Sequence, residues 1–179
     1  MKLKIGFSLI LLLLGPLGQA QNAPLDLAFE FQAYPTGLIP GIRLEKNFGG
    51  KNAAHLRLGY QAIDHRDLGK QDDETGQGWG FSLGYHRYFK PSYQGFFLGA
   101  RNDIWFNRID WANNDGTSGQ TDITVLQPTA QAGWLFLLGK KFLLCPTLSF
   151  GYEINVKTEG EPTGEGAILL LGINLGHRF

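Results

Sequence analysis

Apolar and polar residues alternate along most of this chain with a period of two, the pattern of β-strands that keep one face in an apolar environment. The alternation is longest over 167–179, where Ala167, Leu169, Leu171, Ile173, Leu175, His177 and Phe179 share one face. Gly172, Asn174, Gly176 and Arg178 fall on the other. At about 3.3 Å of rise per residue, that apolar face can cross a membrane's apolar band at a tilt. Seven earlier segments repeat the pattern, at 25–33, 42–48, 54–63, about 78–86, 95–107, 122–138 and 142–156. Their apolar faces include Phe29 and Phe31, then Leu56 and Leu58, then Trp79, Phe81, Leu83 and Tyr85, and later Phe150.

Eight strands in chain order predict an all-β, eight-stranded antiparallel up-and-down transmembrane β-barrel. The connections support it: turns near 49–52, 90–92 and 139–141 are short, whereas 64–77, 108–120 and 157–166 read as long polar loops. Short turns on one rim and long loops on the other is the outer-membrane arrangement. The turn at 34–37 is short where the pattern asks for a long loop.

Size decides which face looks outward. Eight strands enclose a bore only just wide enough for side chains to fill it. Gly59, Gly78, Gly80, Ser82, Gly84, Gly151, Gly172 and Gly176 share their face with the charged residues, and the bulky residues take the other. The bulky face therefore points to lipid, at Phe29, Phe31, Leu56, Leu58, Trp79, Phe81, Leu83, Tyr85, Phe150, Leu171 and Phe179. A soluble lipocalin-like ligand binder would need the reverse, with Trp79, Phe81 and Tyr85 lining its cup. Aromatic residues near strand ends are assigned to interfacial girdles, among them Tyr88 and Phe89 at the short-turn rim and Trp79, Trp105 and Phe106 at the other. Asn102, facing lipid in mid-strand, and Pro128 and Pro146, without N–H donors, resist this scheme; a bulge near each proline would restore register.

The inward face carries Asp26, Glu30, Arg43, Glu45, Arg57, Arg101, Asp103, Glu153 and Arg178, with His55 and His86. In a narrow lumen such charges must pair, and the planar guanidinium suits carboxylates. The bland outcome is a lumen plugged by Arg–carboxylate pairs; the functional alternative is a small solute or ion pore.

The chain has 179 residues, with 16 Lys and Arg against 16 Asp and Glu. Residues 1–20 open with Lys2 and Lys4, continue through an apolar run and end on Gly18-Gln19-Ala20, as a cleaved signal peptide does. Cleavage after Ala20 leaves a barrel domain of 21–179 with a net charge of about −2, which suggests no nucleic-acid partner. The single cysteine, Cys145, allows no internal disulfide.

The terminal strand closing on Phe179 resembles the last strand of bacterial outer-membrane barrels, with His177 and Asn174 where that pattern has an aromatic residue and a glycine. The whole mature chain resembles small barrels of the OmpA and OmpX type. That resemblance implies a bacterial outer-membrane location, outer-membrane lipid as surroundings, the barrel assembly machinery as partner during insertion, and a loop partner outside the cell that the sequence does not identify. Some small barrels of this kind modify lipid A with a serine and a histidine, but Ser82 and His86 lie four residues apart on one strand, about 13 Å, and no His-x-Ser pair occurs. No catalytic residue, cofactor or metal is assigned. Asp72-Asp73-Glu74 lacks the oxygen-ligand spacing of a calcium loop and reads as a solvated acidic loop.

Overall fold

The computed structural model describes residues 23–66 and 69–179; the proposed leader at 1–20 lies outside the described residues. Eight strands close into one ring: β1 (Leu25–Tyr34), β2 (Gly37–Phe48), β3 (Asn52–Arg66), β4 (Asp73–Tyr88), β5 (Gly95–Ala112), β6 (Ser118–Leu138), β7 (Phe142–Glu159) and β8 (Gly166–Arg178). Each strand pairs antiparallel with its chain neighbours, and β1 pairs with β8 to complete the barrel. No helix among the described residues is long and apolar enough to cross a membrane.

The strands overrun the loops expected from sequence. β3 and β4 take up most of 64–77, and β5 and β6 leave only 113–117 between them. β7 reaches Glu159 and β8 begins at Gly166, so 157–166 shortens to a loop of 160–165. The two rims differ in how far strands project past the apolar belt: β6 has 21 residues and β1 only 10. There the outward positions are polar, as at Thr75, Gln77, Arg108 and Asp110, so the hydrophobic alternation fades while the ladder continues.

The prolines interrupt pairing without bulges beside them. The β2–β3 ladder skips from Leu38↔Ala62 to Gly41↔Gly59, across Pro40. The β6–β7 ladder skips from Leu126↔Ile154 to Thr129↔Gly151 at Pro128, and from Gly133↔Thr147 to Phe136↔Leu144 opposite Pro146. Register is unchanged across each gap; one missing N–H costs a local bridge only. The single register shift in that ladder lies between Thr124 and Val125, closer to the outer rim. Asn102 does face outward, paired with Pro128.

Outside, the wall is a belt of large apolar side chains. Phe29, Phe31, Leu56, Leu58, Phe81, Leu83, Tyr85, Phe150 and Phe179 are all exposed, and Trp79 and Leu171 reach 62%. A continuous apolar surface of this extent is foreign to water-soluble monomers and suited to lipid. The lipocalin-like alternative fails here, since Trp79, Phe81 and Tyr85 point away from the axis.

Inside, the bore holds more bulk than the sequence reading allows. Trp105 and Tyr88, assigned above to interfacial girdles, are completely buried in the lumen. Trp105 belongs to an apolar cluster with Tyr34, Ile39, Ile109 and Leu170 in the half nearer the projecting rim. Tyr88 belongs to a second, with Phe97, Leu135, Leu143 and Cys145, towards the short-turn rim. Glycines make the room: a Cβ on Gly80 would overlap Trp105 Cε3, and one on Gly59 would lie 2.9 Å from Trp105 Cη2. The expectation that an eight-stranded bore excludes large rings thus misses that neighbouring glycines let one ring occupy the space of several side chains.

Candidate functional site

Between the two apolar clusters lies a buried polar layer built from inward positions of β1 to β5. Glu30 sits at its centre, with Arg101 Nη1 at 2.8 Å, Arg57 Nε at 3.2 Å and Arg43 Nη1 at 3.7 Å. Arg101 also reaches Asp103 through Nε at 3.0 Å and donates to Gln32 Oε1 at 3.0 Å. Asp103 accepts a hydrogen bond from Ser82 and has Arg57 Nη1 at 3.7 Å. Alternation puts these residues on one face, and barrel curvature turns that face into a cluster joining strands far apart in sequence. Arg57 stacks its guanidinium over Trp105, 5.6 Å from the ring centroid, which ties the charge layer to the apolar cluster above it.

The remaining sequence-predicted charges lie apart from this centre. Arg178 forks onto Asp26, with Nε donating to Oδ1 at 2.8 Å and Nη2 to Oδ2 at 2.7 Å, across the β1–β8 junction. Glu153 has no arginine beside it among the described residues and accepts from Gln61 Nε2 at 3.3 Å. The expectation that every lumen acid meets an arginine is therefore corrected at Glu153, which shares a small cavity near the projecting rim with Gln61, Asn107 and Asn155, where an amide suffices.

Glu45 connects the arginine layer to a second group. Its Oε1 accepts from the Tyr88 hydroxyl at 2.6 Å, and its Oε2 lies 2.8 Å from His86 Nδ1. His86 Nε2 in turn meets Gln131 Oε1 at 2.7 Å, and Gln131 Nε2 donates to Ser149 Oγ at 3.1 Å. His55, fully buried beside them, has no hydrogen bond on either ring nitrogen. Parity places both histidines inward, but nothing local in the sequence signals that residues 31 positions apart bring their rings to 4.4 Å between centroids.

At the projecting rim, Glu74 gathers the loops. Its carboxylate accepts from the backbone N–H of Lys70 at 2.8 Å, Gln71 at 3.1 Å and Gly164 at 3.0 Å, with His65 Nδ1 at 3.4 Å. The 113–117 turn joins through Asp72, whose Oδ2 accepts from the Asn114 N–H at 2.8 Å. In that turn, hydrogen bonds from the Thr117 hydroxyl and N–H hold the Asp115 carboxyl below its usual range. Asp72-Asp73-Glu74 is thus no solvated loop: Asp73 opens β4, and Glu74 is 1% exposed. Glu74 stands above the apolar belt. Burial opposes its charge, but the bonds from His65 and the backbone prevail and hold its carboxyl below the ordinary 4.5. Because the folded value is lowered, this support is complete above 4.5 and is lost as pH falls through the lowered value. Glu74→Gln should therefore speed protease cleavage at 69–72 and 160–165 at neutral pH, and the difference from the unchanged protein should shrink in acid. Equal cleavage of both at neutral pH would remove Glu74 as the tie.

No protein-family model matches the chain, and no curated protein matches it in sequence. Solved structures do. The chain is similar to a major outer membrane protein from Thermus thermophilus, with TM-score 0.57 and 13% identity, covering 88% of this chain and 99% of that one. It is similar to the N-terminal β-barrel domain of Pseudomonas aeruginosa OprF, with TM-score 0.54 and 15% identity, over 87% and 97%. It is also similar to Ail, the attachment invasion locus protein of Yersinia pestis, with TM-score 0.51 and 10% identity, over 88% and 96%. Likeness at these identities is likeness of fold. The chain has the fold of small eight-stranded outer-membrane β-barrels, and its apolar belt suits a barrel surrounded by lipid.

Proposed function

We propose that the protein is a non-enzymatic integral outer-membrane barrel whose lumen is plugged, and whose role is structural or lies in contacts made at its projecting rim. The observation that carries this reading is Glu30 held by three arginines in a fully buried layer, with an apolar cluster on each side of it. A pore would have to break that layer and pass two dry constrictions. Purified protein in planar bilayers is expected to give no steady conductance; a stable ion current would favour the pore.

The serine–histidine chemistry of the enzyme reading has no counterpart, since among the described residues no serine hydrogen-bonds a histidine. Ser82 bonds to Asp103, and His86 is engaged by Glu45 and Gln131. Both residues lie inside the bore, away from lipid. Mass spectra of lipid A from cells with and without the gene product should coincide, and a lost or gained acyl chain would overturn the proposal. The ordered loops around Glu74 support a rim that presents a fixed surface to a partner outside the cell. Phe179 is exposed at the opposite rim.

A further inference from the structure

We propose that Glu45, His55 and His86 form a binding site for a divalent transition-metal ion of the zinc class inside the barrel. The three residues come from adjacent strands, β2, β3 and β4, with Glu45 directly opposite His55 in the ladder. One ligand atom from each lies within 4.8 Å of the others, and all three side chains are buried. Two imidazoles and one carboxylate are a donor set that suits zinc.

The distances fit an ion between them. Ligand atoms bound at about 2.0–2.1 Å in a tetrahedron stand about 3.3–3.4 Å apart. Glu45 Oε2 lies 2.8 Å from His86 Nδ1 and 3.9 Å from His55 Nδ1, so small ring rotations bring both spacings to that value. His55 supplies the independent sign of a missing partner. A buried imidazole with neither nitrogen hydrogen-bonded is costly, and a metal ion would satisfy it.

The surroundings already hold the ligands in place. Tyr88 fixes the far oxygen of Glu45, leaving Oε2 turned towards the histidines. Gln131 Oε1 accepts the Nε2–H of His86, so that Nδ1 is the nitrogen left to an ion, which would displace the proton between Nδ1 and Glu45 Oε2, and Ser149 anchors Gln131. Such outer hydrogen bonds orient metal-bound imidazoles and carboxylates. Glycines clear the space for both rings: a Cβ on Gly84 would overlap His55 Nε2, and one on Gly99 would overlap His86 Cδ2. Arg43 Nη1, 3.9 Å from Glu45 Oε2, is too far to donate to it, and its charge weakens the site without occupying it.

Because the site is enclosed, the ion must enter as the barrel closes. The test folds the chain into detergent micelles with Zn(II) or Co(II) and removes free metal by gel filtration. One bound equivalent is expected, with the intense visible absorption of tetrahedral Co(II). His55→Gln and His86→Gln should each abolish retention. Tyr88→Phe, which removes only the hydroxyl behind Glu45, should weaken binding about 10–100-fold. His65→Gln, at the projecting rim, and His177→Gln, on the outer wall, should leave the stoichiometry unchanged. Heat-modifiable gel mobility reports whether each variant folds. If the site variants do not fold, the unchanged protein decides: no retained metal, or the weak spectrum of octahedral cobalt, overturns the site. Retention undiminished in folded His55→Gln or His86→Gln overturns it equally.

Discussion

Glu30→Gln should cost about 3–5 kcal/mol of barrel stability, the loss that follows when one partner of a buried charge cluster is removed. Arg101, Arg57 and Arg43 all converge on the Glu30 carboxylate, so the substitution leaves three guanidinium groups facing one another, with Asp103 the remaining acid beside Arg101 and Arg57 and Glu45 the one beside Arg43. Denaturant unfolding in lipid vesicles measures the loss. The double variant Glu30→Gln, Arg101→Gln should fall short of the sum of the two single losses, because removing one arginine relieves the repulsion created by removing the acid. A loss under about 1 kcal/mol, or simple additivity, would show that Glu30 does not organise the layer.

Placing an arginine on the outer wall tests the opposite surface. Phe81 is 51% exposed and pairs with Leu58 on one side and Ile104 on the other, in the middle of the apolar belt. Phe81→Arg should destabilise the inserted barrel by about 2–4 kcal/mol, whereas the same change at Phe179, on the rim, should cost about 0–1 kcal/mol. The same unfolding assay in vesicles reads both. Equal costs at the two positions would mean that the belt does not span the bilayer where its residues place it.

The two surfaces are unequally legible in the sequence. Strand identity and facing follow from parity, since successive side chains in a strand alternate faces whatever their partners, and the faces of β4 and β8 can be written down directly. Trp105 and Tyr88 are misplaced when nearness to a strand end is weighed above parity. By parity Trp105 falls with Arg101 and Asp103, and the glycines that accept its ring lie on β3 and β4. The loops at 64–77 and 108–120 read as longer than they are because hydrophobic alternation marks only the part of a strand that meets lipid. Pairings across the lumen are beyond reach. Arg101 reaches Glu30 across 71 positions, and that distance is set by how eight strands curve into a ring.

The ring is local everywhere but at one place. Seven of its eight ladders join strands consecutive in the chain and can form as hairpins, each closing a short loop. The eighth joins β1 to β8 from Asp26↔Arg178 to Ala33↔Leu171, and it alone requires the two ends of the domain to meet. The slow event in folding is therefore the zipping of this seam. The Asp26–Arg178 fork sits at its first rung, and loss of that fork should delay closure more than it speeds opening.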